Sequence, residues 1–452
     1  MSSSIKVTVI GAGSATFSLA LVKDLCLTPG LAGSHVCFMD INAKKAEMVC
    51  RLATRYAEEL GSQLTFEWST DRPASLQDAN FVINTATVKN EYDARDMREV
   101  IDRHGYYYGG EIRIDRYYNL ALMLGIARDM ERICPDAWFI MAGNPVFAGT
   151  TLVTRETGIK SIGLCHGHYH YRDIAKTIGL DPDKVTFQAP GLNHMIWMTD
   201  FLYEGKDAYP LIDEWIATKA EEYWATHVAT GTHDVQMSRS AVNQYKLYGL
   251  FPIGDTVRHT GWWYHTDKEA KMRWFPPPWG GPDTHEARAV TRSTKDTRIA
   301  EMMEGAFDAK TSVVAVFGAQ KTREQHVPII DGLVNNHEGQ FQVNVRNEGA
   351  LAGVAADVAV EVPAIVNAKG VQPLRVKPLP PKVMVNCILP NVLSMERTLL
   401  GLKTGDRAQL LLDVLESHHT RSYDQAVAVL EDVLAMPGYE EMAKHYRYPK
   451  SL

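Results

Sequence analysis

The stretch KVTVIGAGSATFSLALVKDLC, residues 6–26, decides the fold. Its first part, Lys6–Ile10, is rich in β-branched residues and predicts a buried strand, and its last part, Phe17–Cys26, has the apolar period of a helix. A glycine-rich turn joins the two parts. A strand, a glycine-rich turn and a helix in this order are the context that a dinucleotide-binding fingerprint requires. The stretch therefore predicts the start of a Rossmann-like sheet.

The turn and the next strand predict the cofactor contacts. Gly11, Gly13 and Ser14 would let backbone N–H groups at the helix N-terminus hold a pyrophosphate. Thr16 stands where the G-x-G-x-x-G pattern has its third glycine. The second strand, HVCFMD, ends at Asp40, whose carboxylate would accept a hydrogen bond from a ribose hydroxyl and favour NAD over NADP. A plain βα turn with a surface aspartate is the alternative interpretation.

Strand and helix patterns alternate as far as Cys165 and predict a doubly wound parallel sheet with helices on both faces. The predicted strand NFVINTA carries Asn84 and Thr85 at its carboxyl end, where ligands bind in such sheets. Further along, the pattern becomes irregular. We therefore predict an α/β fold in which residues 1–195 form a Rossmann-like NAD-binding domain. Residues 196–452 would form a mixed α+β domain for substrate binding and oligomerisation.

The composition is that of a globular protein and excludes several partners. The chain has 452 residues, of which 45% are hydrophobic and 22% are charged, and its net charge is −7. Neither a basic stripe for nucleic acid nor an apolar run of about 18 residues for a membrane span is visible. The six cysteines lack paired spacing, as free thiols in a reducing compartment do, and no signal peptide is visible. We predict a cytoplasmic protein.

Cys165 and His194, which each follow a strand-like run, indicate a catalytic metal centre. A thiolate and an imidazole together suit a borderline transition metal such as Zn²⁺, Mn²⁺ or Fe²⁺. A structural zinc site normally has four protein ligands, so two ligands completed by substrate oxygens and water would form an open, catalytic site. The alternative is that Cys165 is an inert buried thiol, which is the usual role of a single cysteine.

Two further segments carry charged and aromatic side chains. FPIGDTVRHT, residues 251–260, places Asp255 and Arg258 before a Trp-Trp-Tyr run, and such rings commonly stack on sugars. The alternative is a capping aspartate with an arginine salt bridge. YYYGGEIRIDRYYN, residues 106–119, is either a substrate-facing loop or an ordinary loop anchored by its aromatic groups.

Taken together, these motifs resemble glycoside hydrolase family 4, the NAD- and metal-dependent glycosidases. The resemblance runs nearly end to end, and its most specific parts are Cys-His-Gly after a strand and the later Gly-x-Asn-His. The most similar branch contains bacterial α-glucosidases, with α-glucuronidases nearby. The motifs are VIGAGS, NFVINTA, HGYYYG, GNPVFAGTTLVTR, GLCHGHY, PGLNHMIW, AYPLIDEWI, YGLFPIGDTVRH, WGGPD and REQHVPIIDGLVNN.

The resemblance implies redox-assisted elimination. NAD⁺ would oxidise C3 of the sugar, Asp255 would remove the acidified C2 proton, and His166 or Glu111 would protonate the leaving oxygen. Water would then add to C1, and the hydride would return to C3. The remaining implied residues are Gly11, Gly13, Ser14, Asp40, Asn84 and Thr85 for NAD, Cys165 and His194 for Mn²⁺, and Asn144 and Arg258 for the sugar.

The segment after the paired tyrosines departs from the α-glucosidase pattern. Here Glu111 is followed by Arg113 and Arg116, and two extra arginines would suit an anionic group on the sugar. We therefore predict hydrolysis of α-glucoside-type bonds, with a sulfoquinovoside or an α-glucuronide as the alternative substrate. The resemblance also implies a homodimer or homotetramer. A conventional NAD-dependent dehydrogenase and a catalytically idle NAD-binding sensor are the alternatives from other classes.

Overall fold

In a computed structural model of the chain, the structure describes residues 4–88, 91–107, 112, 114, 116–308 and 310–448. Fifteen strands lie in two sheets within these ranges. The strands are β1 (Lys6–Ile10), β2 (His35–Met39), β3 (Thr65–Ser69), β4 (Phe81–Asn84), β5 (Trp138–Met141), β6 (Lys160–Gly163), β7 (Val185–Gln188), β8 (Gly191–Leu192), β9 (Met195–Met198), β10 (Asp200–Tyr203), β11 (Lys206–Asp207), β12 (Phe251–Ile253), β13 (Gly339–Arg346), β14 (Ala359–Asn367) and β15 (Gly370–Pro373).

Helices connect these strands and follow the last of them. They are α1 (Ala15–Cys26), α2 (Ala43–Leu60), α3 (Arg72–Leu76), α4 (Glu91–Arg103), α5 (Arg116–Ile133), α6 (Val146–Glu156), α7 (Tyr171–Thr177), α8 (Tyr209–Thr218), α9 (Ala220–Thr226), α10 (Arg239–Tyr248), α11 (Thr256–His259), α12 (Lys268–Trp274), α13 (His285–Phe307), α14 (Val313–Phe317), α15 (His326–Asn335), α16 (Pro381–Val383), α17 (Leu389–Thr404), α18 (Arg407–Leu415), α19 (Tyr423–Leu434) and α20 (Glu440–His445). Among the described residues, no helix is long and apolar enough to cross a membrane.

The first six strands of the large sheet are parallel and confirm the predicted doubly wound fold. Their order is β3, β2, β1, β4, β5 and β6, which is the order of a dinucleotide-binding Rossmann sheet. Helices cover both faces. Val9 packs in one buried cluster with Leu19 of α1 and Val49 of α2, whereas the next residue, Ile10, packs in another cluster with Met123 of α5. Successive side chains of a strand point to opposite faces of the sheet, and both faces of this sheet are covered by helices, so neighbouring residues pack in different clusters.

The same sheet continues with antiparallel strands from the second half of the chain. β13 joins β6, with Asn344 opposite Gly163, and β14, β8, β9 and β12 follow in that order, while β15 pairs with β14. Val343 and Val362 share the buried cluster of Val9. A separate sheet holds β11, β10 and β7. Strands therefore hydrogen-bond across the predicted division at residue 195, and the division into two domains stays a prediction.

Candidate active site

The carboxyl ends of the parallel strands meet at one edge of the sheet and border a cavity of about 160 Å³. Ser14, Thr85 and Ala142 line it from the first half of the sheet. Cys165 and His166 line it from the loop after β6. The remaining wall comes from the segment that leads into α15. The dinucleotide turn and the predicted metal ligand therefore face one space, at the place where doubly wound sheets bind ligands.

The glycine turn after β1 has the geometry that close approach to a nucleotide needs. Gly11 has φ +84°, and a Cβ there would lie 2.5 Å from the backbone of Ala86. Its neighbour Gly13 donates its N–H to Oδ2 of Asp40 at 2.8 Å, and Asn42 donates to the other oxygen at 2.9 Å. Asp40 therefore fixes the turn from the end of β2, at the position predicted for the ribose contact.

Asn84 and Thr85 end the neighbouring strand β4, as predicted. The Thr85 hydroxyl donates to the carbonyl of Gly11 at 3.0 Å. Asn84 is fully buried, its Oδ1 accepts from the N–H of Ala86 at 3.2 Å, and its Nδ2 has no hydrogen-bond partner among the described residues. An unpaired buried amide donor beside this turn fits a site that is completed by a bound dinucleotide.

Cys165 lies just beyond β6, in a loop that the chain holds tightly. The backbone N–H of Gly167 and the side chain of Asn193 act on its thiol and lower its pKa. Burial raises the pKa of Cys165 to about 12, and the nearby carboxylates of Glu361 and Asp255 raise it further. The thiolate that a metal needs would therefore form here only with a cation beside it.

His194 lies in the turn between β8 and β9 with φ +63°, a backbone conformation that non-glycine residues rarely adopt. Its Nε2 lies 3.2 Å from Oδ2 of Asp255, and its ring stacks on that of His259 with centroids 5.3 Å apart. Burial lowers the pKa of His194 to about 4, so the ring is neutral, as a metal ligand must be. A strained turn of this kind is a frequent feature of functional sites.

The turn between β12 and α11 brings Asp255 to this place. Gly254 has φ +62°, and a Cβ there would lie 2.5 Å from the carbonyl oxygen of Gly167 in the Cys165 loop. The hydroxyl of Thr256 pairs with both backbone groups of Ile196 in β9, at 2.8 and 2.9 Å. These contacts fix Asp255 between the loop of Cys165 and the turn of His194.

Asp255 also belongs to an arginine network formed by Asp255, Arg258, Asp283 and Arg288. Asp255 accepts from Nε of Arg258 at 2.8 Å, and Arg258 binds both oxygens of Asp283 at 2.8 and 2.9 Å. Arg288 binds Asp283 at 2.9 Å. Burial alone would raise the pKa of Asp255, but Arg258 and His194 hold it well below its usual range. The network therefore keeps a half-buried carboxylate charged.

Within the described part of the chain, one group of side chains could hold a metal ion by proximity. It consists of His194, Asp255 and His259, whose ligand atoms lie within 4.8 Å of one another. Imidazole and carboxylate groups suit Mn²⁺ and Fe²⁺. The predicted ligand Cys165 is not in this group but adjoins it, because Asn193 connects its thiol to the turn of His194.

The other predicted residues differ in how close they lie to this centre. His166 borders the cavity, and its Nδ1 lies 3.0 Å from Oε1 of Glu324, a contact that raises the pKa of His166. Arg116 begins α5, and its charge acts on His194. Asn144 is exposed after β5. Glu111 and Arg113 lie outside the described residues.

Several side chains at this centre were not among the predicted site residues. His259 stands four residues after Asp255. Residues at this spacing lie on the same face of a helix, so the sequence could have indicated that His259 lies near Asp255. Asp283 and Glu361 reach the site from distant segments, Asp283 from a motif that carried the family resemblance only and Glu361 from an apolar strand. No local spacing could have found their contacts.

A doubly wound sheet with a dinucleotide turn, joined to a half-buried thiol, imidazole and carboxylate, defines a nucleotide-dependent enzyme of the Rossmann class. The chain belongs to family 4 of the glycosyl hydrolases, since the model of that family matches residues 6–180 and the model of the family's C-terminal domain matches residues 189–420. The predicted resemblance is thereby confirmed, and the chain stands among the glycosidases.

Relatives in this family cover nearly the whole chain at low identity. An α-galactosidase of Bacillus subtilis is 25% identical over 389 residues, 83% of this chain and 84% of that protein. An α-glucosidase of Erwinia rhapontici is 25% identical over 459 residues, 95% of this chain and 97% of that protein. A 6-phospho-β-glucosidase of Escherichia coli at 24% identity and an α-galacturonidase of Thermoanaerobacterium saccharolyticum at 22% are further relatives, so membership alone does not define the sugar or the linkage.

Solved structures share the fold over the full length. A 6-phospho-α-glucosidase from gut microorganisms, solved in complex with NAD and Mn²⁺, superposes with a TM-score of 0.76 at 15% identity. The match covers 99% of this chain and 100% of that one. The fold is thus preserved although few residues are shared.

Proposed function

We propose that this chain hydrolyses α-glycosides with the help of bound NAD and a divalent metal ion, Mn²⁺. The observation that carries the proposal is the convergence of Cys165, His194 and Asp255 at the sheet edge that also carries the dinucleotide turn. The α-galactosidase and α-glucosidase relatives support an α-linkage, and the solved relative with NAD and Mn²⁺ supports both cofactors.

The side chains present fit these two groups. The turn residues, Asp40 and the unpaired amide of Asn84 would hold NAD. The neutral ring of His194 and the thiol of Cys165 would hold Mn²⁺, with His259 close enough to contribute. When bound, NAD supplies reversible hydride acceptance at C3 of the sugar, and the metal ion supplies a Lewis acid for the neighbouring oxygens.

Asp255 would act as the base that removes the proton from C2. Its carboxylate is charged because Arg258 lies against it, and a charged carboxylate can accept a proton. Arg258 is itself fixed by the two-oxygen contact with Asp283, so the orientation of Asp255 is set before substrate binds. The arginine network thus positions the base.

His166 would act as the acid that protonates the leaving oxygen. Its contact with Glu324 favours the protonated imidazole and orients the ring on the cavity wall. A protonated imidazole beside the cleft can donate to a glycosidic oxygen. Before His166 donates its proton, Glu324 would stabilise the positive charge of the imidazole.

A second candidate substrate is an α-glycoside with an anionic group at C6, an α-glucuronide or a sulfoquinovoside. The observation that favours it is the position of Arg116, one of the two arginines that distinguish the segment after the paired tyrosines. The charge of Arg116 acts on His194. A carboxylate or sulfonate is a bidentate partner for arginine.

The experiment compares aryl α-glucoside, α-glucuronide and α-sulfoquinovoside, with an aryl β-glucoside as the linkage control. Each is incubated with and without NAD⁺ and Mn²⁺ under reducing conditions. We expect one α-glycoside to be cleaved only with both cofactors, with no accumulation of NADH, and with deuterium at C2 of the product formed in D₂O. Accumulation of NADH would instead identify a conventional dehydrogenase, and cleavage of the β-glucoside would contradict the proposed linkage.

A further inference from the structure

His326, the first residue of α15, is a buried side chain with unsatisfied hydrogen-bonding groups. It is 3% exposed, and neither ring nitrogen has a hydrogen-bond partner within the part of the chain that the structure describes. Phe17 of α1 packs edge-on against the ring at a centroid distance of 4.9 Å and fixes its orientation. A buried polar group without a partner is costly, so such groups in folded proteins usually meet a ligand or ordered water.

The ring borders the cavity at the sheet edge, together with Ser14, Thr85 and His166. The direction of a bound dinucleotide follows from the fold. Its pyrophosphate would lie at the turn before α1, and its adenosine ribose would lie at Asp40 on the β2 side. The other half of the molecule must therefore extend over the ends of β4 and β5, where Thr85 and Ala142 line the same cavity as His326.

The chemistry of the ring selects which group of the ligand it can meet. Burial lowers the pKa of His326 to about 4, so the ring is neutral and offers one N–H donor and one acceptor nitrogen. Glu324 lies 3.7 Å from its Nδ1, and the contact of Glu324 with His166 keeps this carboxylate charged. A negative neighbour disfavours a phosphate and suits a cationic pyridinium ring with a primary carboxamide, which also offers a donor and an acceptor.

We propose that His326 hydrogen-bonds the carboxamide of the nicotinamide ring of NAD and so orients the ring in this cavity. This inference rests on the proposed function, which supplies NAD as the ligand. His326 would be a positioning residue for the face of the ring that accepts the hydride. No sequence spacing connects it to the dinucleotide turn, because it enters the cavity from a helix more than three hundred residues further along the chain.

The test measures binding by calorimetry on protein freed of bound nucleotide. Three ligands are compared: NAD⁺, ADP-ribose, which lacks the nicotinamide, and 3-acetylpyridine adenine dinucleotide, which lacks the amide NH₂. We expect His326→Ala to weaken NAD⁺ about tenfold or more and to leave ADP-ribose unchanged, because a buried hydrogen bond of the carboxamide is lost. His326→Gln should recover part of the NAD⁺ affinity. His337→Ala, an exposed histidine just after the same helix, is the matched control.

ADP-ribose binding also reports that each variant is folded. Equal loss of NAD⁺ and ADP-ribose affinity in His326→Ala, or no loss of either, would overturn the inference. Equal loss of NAD⁺ and of the acetylpyridine analogue in His326→Ala would support a contact with the carbonyl oxygen that both ligands carry, and a larger loss of NAD⁺ would support a contact with the NH₂ group. Wild-type protein that binds neither NAD⁺ nor ADP-ribose would end both this inference and the proposed function. Wild-type protein that binds NAD⁺ through its carboxamide but cleaves no glycoside would end only the proposed function.

Discussion

Two regions with carboxylate side chains flank the predicted metal ligands, and the carboxylates of the two regions have different partners. On the side of His194, the arginine network surrounds Asp255 and Asp283 with guanidinium groups. On the side of Cys165, Glu361 of β14 is fully buried, whereas Asp255 is half-buried, and Glu361 meets the amides of Asn193 and Asn344, at 3.1 and 3.2 Å. We call Glu361, Asn193 and Asn344 the amide cluster.

The difference shows that burial alone does not decide the charge of a carboxylate. Burial raises the pKa of Glu361 to about 7 because amides stabilise its charged form too weakly to compensate. Desolvation also acts to raise the pKa of the half-buried Asp255, yet Arg258 holds that pKa well below the usual range. Asp255 is therefore ionised on one side of the centre and can act as a base, whereas Glu361 on the other side can hold a proton.

The largest expected effect comes from removing the charge of the base. Asp255→Asn keeps the shape of the side chain but cannot accept the C2 proton. We expect kcat to fall about 10³-fold, within the range that general-base catalysis contributes. Glycoside cleavage and the incorporation of deuterium at C2 in D₂O should be lost together.

The Mn²⁺ content of the Asp255→Asn protein separates a base from a ligand. Retained metal with lost turnover supports the role of base. Loss of metal in parallel with turnover would mean that Asp255 is instead a ligand in the group with His194 and His259. The exposed variant Asp183→Asn, which loses only a surface pair with Arg172, is the control and should change neither quantity.

The second prediction breaks the arginine network at its far end. Asp283→Asn removes the carboxylate that pairs with Arg258 and Arg288 and that acts on the buried Lys271. Loss of one partner of a buried ion pair leaves an uncompensated charge, so we expect the free energy of unfolding to fall by about 3 kcal/mol or more. Urea unfolding measures this loss, and kcat should fall with it because Arg258 no longer orients Asp255. An unchanged unfolding curve would show that the network does not stabilise the fold.

The third prediction concerns the contribution of the predicted ligand Cys165 to Mn²⁺ binding. Cys165→Ser should weaken Mn²⁺ binding about 100-fold, as the loss of a ligand or its close support typically does. His259→Ala, which removes the ring stacked on His194, is compared with it. A stronger loss in Cys165→Ser supports the predicted Cys165 and His194 pair. A stronger loss in His259→Ala would favour the group of His194, Asp255 and His259. Bound metal is counted after dialysis against graded Mn²⁺.

The fold and the edge that carries the site were predictable from sequence because their signals are local. The strand Lys6–Ile10 has the predicted bounds, and the turn after it places Gly13 against Asp40 as a dinucleotide fingerprint requires. The position of Cys165 and His194 at this edge was predictable because each comes at the end of an apolar, strand-like run of the sequence. Local order along the chain is enough in such cases.

The partners of these residues were not predictable in the same way. Asp283 meets Arg258 through the loop before α13, and Glu361 meets Asn193 because β14 pairs with β8 in an antiparallel extension of the sheet. The sequence shows neither which strands extend a sheet nor in which register they pair. The charge states of Asp255 and Glu361 depend on these long-range contacts, so they could be inferred only from the structure.

The smallest expected effect concerns the amide cluster and fixes the sign of its pH dependence. The pKa of Glu361 is about 7 in the fold, above the value of about 4.5 that the unfolded chain would have, so the unfolded state loses its proton first. The contribution of Glu361 to stability is therefore complete below pH 4.5 and is lost as the pH rises through 7.

The free energy of unfolding of metal-free protein should fall by about 2 kcal/mol more between pH 5 and 8 than that of Glu361→Gln, which cannot ionise. Urea unfolding of both proteins across this range measures the difference. A difference that does not change with pH would mean that Glu361 is already ionised in the fold, and the contrast with the arginine network would then rest on geometry alone.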